Sequence, residues 1–269
     1  MEDVLQIRVG CEFHGSASER SPAVFQLQPF SGEAHKILEE SWNTEPDVAR
    51  HEYFDSYGNR CQRLTVPQGD FSVRYDALVR MPATLDASDP AACELSPADL
   101  PDDVLIYTSP SRYCLSDEMA EIAIQLFGAT PPGYGRVEEI TAFVHNHLEY
   151  AMGASTSLTT ALAAYERGAG VCRDFAHLAV TFCRALDIPA RYTFGYLPDI
   201  DKKSLYPIDF HAWFEAYLGD RWWTFDPRNN ERQRGRIVVG RGCDALDVAM
   251  VTTYGNATLN ELSVWSDLA

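Results

Sequence analysis

Three residues in the second half of the chain have the types and spacing for nucleophilic chemistry: Cys172, His211 and Asp226. Cys172 follows a glycine-containing break, Gly168-Ala169-Gly170-Val171, and opens an apolar-periodic run that reaches Leu186. That pattern predicts a helix beginning at the cysteine. Unpaired N–H groups and the positive end of the macrodipole favour an anion at such a start. A thiol there can have its pKa lowered, which makes it a better nucleophile at neutral pH. Gly170 would let the backbone approach a substrate closely.

His211 and Asp226 lie on two β-rich runs, His211 to Leu218 and Arg221 to Asp226, separated by Gly219-Asp220. Gly-Asp between such runs is a two-residue hairpin signal. With Leu218 facing Arg221, Trp213 faces Asp226. His211 then becomes a diagonal neighbour of Asp226 on the same sheet face, roughly 7–8 Å away between backbones. An imidazole and a carboxylate can bridge that gap. A four-residue loop keeps this register, whereas a three-residue loop would put the two groups on opposite faces.

The two faces of this hairpin differ in chemistry. Ala212, Phe214, Ala216, Leu218, Trp223 and Phe225 read as core. His211, Trp213, Glu215, Tyr217, Thr224 and Asp226 read as a working surface, with Trp213 shaping a substrate groove. The Cys172 helix is expected to pack on that second face, where thiol, imidazole and carboxylate meet. His211 would take the thiol proton and later protonate a leaving amine. Asp226 would hold the imidazole tautomer and stabilise its charged form. The chemistry is acyl transfer through a thioester.

The elements that must position these groups divide at a proline-punctuated stretch, residues 82–115, with Pro82, Pro90, Pro97, Pro101 and Pro110. Before it, Val4 to Val9, Ala23 to Leu27, Arg50 to Asp55, Cys61 to Val66 and Phe71 to Arg80 read as strands joined by short turns. An all-β, sandwich-like N-terminal domain over residues 1–110 is therefore expected. After it, helical spacing appears around Met119 to Phe127, Val137 to Leu148, Ser157 to Arg167 and Cys172 to Leu186. Strands follow from Ala190 onward. Residues 111–269 are thus expected to form an α+β core with helices packed on an antiparallel sheet.

Other chemistry-bearing residues have simpler readings. Cysteine is commonly buried, which suits Cys183, Cys11 and Cys61. His177 lies about 140° around the helix from Cys172 and reads as structural. The rings of His145 and His147 diverge by about 200° on a helix, and no companion ligands stand at metal spacing, so no zinc site is expected. Asp174 reads as a helix-start cap. Asp244 and Asp247 read as turn residues.

At several of these blocks the chain resembles the transglutaminase-like superfamily of papain-type cysteine enzymes. The matching text is Gly170-Val171-Cys172-Arg173-Asp174-Phe175-Ala176, Arg184 to Arg191, Gly195-Tyr196, His211-Ala212-Trp213-Phe214-Glu215 and Trp223-Thr224-Phe225-Asp226-Pro227. The resemblance covers residues 157–230 most strongly. It implies a papain/transglutaminase-like core with Cys172, His211 and Asp226 as triad, and bacterial members often carry an N-terminal β domain. The backbone N–H of Cys172 is one candidate oxyanion donor, and Tyr150 and Thr156 are candidates for a second. Animal members bind calcium, but nothing here resembles an EF-hand loop, so no metal and no other cofactor is expected.

The leading expectation is hydrolysis of an amide or peptide bond in a peptide or protein substrate. The alternatives are an amine-accepting transglutaminase and a non-catalytic binding module on the same fold; the intact trio argues against the latter. A net charge of −17 repels phosphate backbones and anionic membranes, so neither nucleic acid nor membrane is an expected partner. The seven cysteines contain no CxxC pair, and Met1-Glu2-Asp3-Val4 lacks a basic n-region. Both features predict reduced thiols in a cytoplasm.

Overall fold

The computed structural model describes residues 4–30, 34–201 and 208–269; Met1 to Asp3, part of the stretch read for a leader, lie outside the described residues. Six strands come first: β1 (Val4–Ala17), β2 (Ser21–Phe25), β3 (Lys36–Glu45), β4 (Arg50–Phe54), β5 (Arg60–Val66) and β6 (Gly69–Pro82). The helical part holds α1 (Ala120–Phe127), α2 (Tyr134–His147), β7 (Glu149–Tyr150), α3 (Ala161–Arg167), β8 (Ala169–Gly170) and α4 (Cys172–Ala185). The remaining strands are β9 (Ala190–Tyr196), β10 (His211–Leu218), β11 (Arg221–Phe225), β12 (Ile237–Gly242), β13 (Val251–Thr253) and β14 (Ala257–Leu268).

The N-terminal strands form the expected β layer, as two antiparallel sheets in the orders β14-β1-β6-β3 and β13-β2-β5-β4. Alternation explains it: Ile7, Val9, Cys11 and Phe13 point inward and join Phe25, Leu27, Leu64 and Val66 in one buried cluster. Two features differ from the sequence reading. β13 and β14, expected within the C-terminal core, are hydrogen-bonded to β2 and β1 and complete the two N-terminal sheets. β3 was not expected, because it carries no inward apolar row; only Trp42 is buried along it, and its charged residues suit an edge strand.

The third four-stranded sheet, β11-β10-β9-β12, carries the helices. The hairpin register is the expected one, with Leu218 opposite Arg221 and Phe214 opposite Phe225. Gly219, at φ 64°, takes the left-handed first position of the two-residue turn.

The helices pack on the other face from the one expected. Phe175, Leu178, Ala179 and Phe182 of α4 share a cluster with Phe214, Ala216 and Leu218, the apolar row of β10. The physical reason is burial: an apolar helix stripe gains most against an apolar sheet face.

The polar face is not an open surface either. Trp213, Glu215 and Tyr217 are all buried. Glu215 is clamped by Arg191 at 2.6 Å and by Arg241 at 2.8 Å. Burial alone would raise its pKa, but the two guanidinium charges and their hydrogen bonds bring it down to about 2. The proline-rich stretch supplies the cover. It contains only two short 3-10 turns, Pro97–Asp99 and Leu105–Thr108, and lays Leu100 and Val104 on Tyr217 and Tyr107 on Trp222. No helix among the described residues is long and apolar enough to cross a membrane.

Candidate active site

Cys172 is the first residue of α4, so its backbone N–H has no acceptor within the helix. The start is fixed by Asp174, whose carboxylate accepts the Val171 N–H at 2.8 Å. That explains Gly170: a Cβ there would lie 2.7 Å from Asp174 Cβ and 2.9 Å from its Oδ2. The glycine makes room for the cap, not for a substrate as the sequence reading had it. Upstream, β7 pairs in parallel with β8, placing Tyr150 opposite Gly170 and beside the start of α4.

His211 opens β10, and the thiol of Cys172 contacts the carbonyl of Phe210 at 3.8 Å, immediately before it. Because both catalytic candidates stand at the ends of their elements, they meet although α4 covers the opposite face of the sheet. The imidazole Nε2 lies 2.7 Å from Asp226 Oδ2. Asp226 also accepts the Asn229 backbone N–H at 3.1 Å, the Asn229 amide at 2.9 Å and Arg236 Nη2 at 2.9 Å.

Burial works to lower the His211 pKa, yet the charge and hydrogen bond of Asp226, with a smaller contribution from Cys172, raise it to about 8. For Asp226, burial pushes upward, but His211, Arg236 and the Asn229 N–H hold it well below the usual carboxylate range.

The raised imidazole pKa has a stability consequence. A shift from 6.5 to about 8 corresponds to about 2 kcal/mol favouring the folded state. That contribution is fully present below pH 6.5 and is lost as pH rises through 8. Urea unfolding at pH 6 and pH 9 is therefore expected to show a fall that His211→Gln lacks, by about 2 kcal/mol. His177, held neutral by burial, contributes with the opposite sign in both proteins and cancels from the comparison. Equal pH dependence in the two proteins would contradict the pairing of His211 with Asp226.

Trp213 does not shape a groove: it is 1% exposed and stacks on His211, with ring centroids 6.1 Å apart. The Arg236 guanidinium also lies over the Trp213 ring, 5.0 Å from its centre. Thr156 does not line the cleft at Cys172. Its hydroxyl accepts from Leu158 N–H, and its carbonyl takes the Arg173 guanidinium at 2.7 Å. Tyr150 does line the cleft, beneath the Arg228 guanidinium at 4.1 Å.

His177 is a structural residue: it is buried, stacks on Tyr113 and accepts the Ala245 N–H at 3.1 Å. His145 and His147 address different carbonyls, those of Pro227 and Arg228 for the first and Tyr165 for the second. Asp244 and Asp247 hold turn N–H groups at 2.8–2.9 Å.

Sequence reasoning missed the support behind Asp226. Arg236 bridges Asp226 and Asp86, both at 2.9 Å, so a residue of the proline-rich stretch is linked to Asp226. Asn229, three residues after Asp226, was the readable signal, since Asx side chains commonly close such turns. Arg236 and Asp86 carry no such signal.

A cleft of about 450 Å³ opens at Cys172 and His211. It is lined by Tyr192, Phe194, Phe210 and Ala212, by Tyr150 and Met152, and by residues of the 245–251 segment.

The family model for the transglutaminase-like superfamily matches residues 120–227, which spans all three groups. A crystal structure from Cytophaga hutchinsonii, named a "putative cysteine protease", is similar at a TM-score of 0.90 and 32% identity, over 99% of this chain and 91% of that one. An uncharacterized protein of Mycobacterium leprae is 38% identical over 111 residues, 40% of this chain and 39% of that protein's length. An uncharacterized protein of Mycobacterium tuberculosis is 29% identical over 216 residues, 72% of this chain and 68% of that protein.

Proposed function

The chain belongs to the transglutaminase-like superfamily, and from that premise we propose that it hydrolyses an amide or peptide bond through a thioester on Cys172. The observation that carries this reading is the 2.7 Å His211–Asp226 pair beside a half-buried thiol at the start of a helix. His211 removes the thiol proton as the sulfur attacks the carbonyl carbon. The Cys172 N–H, lacking a helical acceptor, is directed to the developing oxyanion. The C–N bond breaks as the imidazolium protonates the leaving amine, and the acyl group remains on sulfur. His211 then deprotonates a water, whose attack breaks the C–S bond and restores the thiol. With a pKa raised to about 8, the imidazole is basic enough to take the thiol proton and to hold it until the leaving amine receives it.

Limiting iodoacetamide at pH 7, followed by peptide mass mapping, tests the premise of a reactive thiol. Burial pushes the Cys11 and Cys114 thiols up to about 12, which leaves the exposed Cys93 as the informative competitor. Cys172 is expected to be alkylated first, with parallel loss of cleavage of a fluorogenic peptide-amide library. Alkylation of Cys93 ahead of Cys172 would overturn the reading. A labelled primary amine added with a glutamine peptide separates the transferase alternative: hydrolysis predicts release of free acid in excess of amine incorporation.

A further inference from the structure

Acidic residues make up 39 of the 269 in this chain. Along the cleft wall they are nearly absent: Asp209 is the one carboxylate lining it among the described residues. Arg173 lines it with Nη2 donating to Thr156 O at 2.7 Å, Ser155 Oγ at 3.2 Å and Asp174 Oδ1 at 3.2 Å, and Arg228 stands over the Tyr150 ring at 4.1 Å. A ligand therefore meets mostly apolar surface.

Two lips rise above that surface. Met152, from the loop after β7, is 68% exposed, and Leu246, from the loop after β12, is 61% exposed. Two large apolar side chains left this exposed along one mostly apolar cleft suit a surface that a ligand covers. The wall bearing Leu246 is preformed. Ala245 N–H is held by His177 at 3.1 Å, Asp247 O by Gln26 at 3.2 Å and Met250 O by the Gln26 N–H at 3.0 Å.

We infer that the cleft selects an acyl donor carrying bulky apolar side chains beside the scissile amide, gripped between Met152 and Leu246, and that it discriminates against acidic donors. The apolar side chains gain by being covered, and a carboxylate laid against them loses its hydration. This inference names the substrate class of the site and rests on the thiol reading only for turnover, not for binding.

The test uses two peptidyl chloromethyl ketones, one bearing Phe-Leu and one bearing Asp-Asp. Each alkylates a thiolate by forming an S–CH2 bond and expelling chloride. Inactivation rates at Cys172 are divided by the iodoacetamide rate of the same protein, so intrinsic thiol reactivity cancels. The Phe-Leu reagent is expected to exceed the Asp-Asp reagent by at least about tenfold, and Leu246→Asp or Met152→Asp to reduce that preference on the order of tenfold. Calorimetry with the corresponding N-acetyl peptide acids is expected to give the same ranking whether or not Cys172 is reactive. Equal rates and equal binding for the two peptides would overturn the inference while leaving the reactive thiol in place. Preferential binding of the apolar peptide to a protein whose Cys172 resists iodoacetamide would sustain the inference and remove the thioester mechanism instead.

Discussion

Cys172→Ala is expected to abolish turnover, by about 10⁴-fold or more, while changing the fold little. The loss is large because, among the described residues, no second thiol lines the cleft and the imidazole beside Cys172 is already engaged with Asp226. The structural cost is small because the side chain is only half-buried and its polar contacts, with His211 and at 3.8 Å with the Phe210 carbonyl, are weak sulfur ones. For a chain of this size the melting temperature should move by about 2–4 °C at most. The two measurements belong together. Residual activity above a hundredth of the parent, in a variant that melts normally, would show that the sulfur is not the nucleophile.

Asp226 allows a sharper experiment, because its two natural replacements separate catalysis from folding. Asp226→Asn keeps the shape and one of the two contacts with Asn229 but removes the charge. The His211 pKa should then fall, its tautomer preference should be lost, and activity should drop by about 10⁴-fold. NMR titration of His211 reads the first effect and peptide-amide cleavage the last. Asp226→Ala instead leaves Arg236 and His211 buried without their shared acceptor. Removing one partner of such a pair costs about 3–5 kcal/mol. Adding Arg236→Met to the alanine variant should restore part of that stability without restoring activity, because the buried cation, left with Asp86 alone, is gone while the imidazole still lacks its orienting group. A cost below about 1 kcal/mol for Asp226→Ala would mean that the contact with Arg236 contributes nothing to folding.

The hairpin shows why the trio was legible from residues alone. Gly219-Asp220 specifies a short turn, a short turn specifies register, and register places His211 and Asp226 on one face. Cys172 was legible through the glycine break before it and the apolar period after it. What sits behind the trio was not. Arg236 reaches Asp226 from ten residues downstream and Asp86 from far upstream, and long-range ion pairs leave no periodic trace.

The packing side of α4 was misread for a related reason. Placing the helix against the reactive residues ignored that β10 offers a fully apolar row on its other face, which is where burial drives the helix. Trp213 was misread with it, as a groove residue instead of the ring beneath the imidazole. β3 escaped notice because an edge strand that faces water lacks the alternation that reveals buried ones. Gly170 was legible as necessary but not for its reason, since the capping carboxylate that fills its space stands four residues on.

The partnership of β1 with β14 sets a timetable for biosynthesis. β1 emerges from the ribosome well before β14, yet one of its two edges is covered by residues 257–268. Until then that edge lies bare, an adhesive ribbon for neighbouring nascent chains. The adjoining stretch, residues 245–251, also walls the cleft. Competence and protection from aggregation thus arrive together, after translation has passed β14, so a chain stalled short of it would have neither.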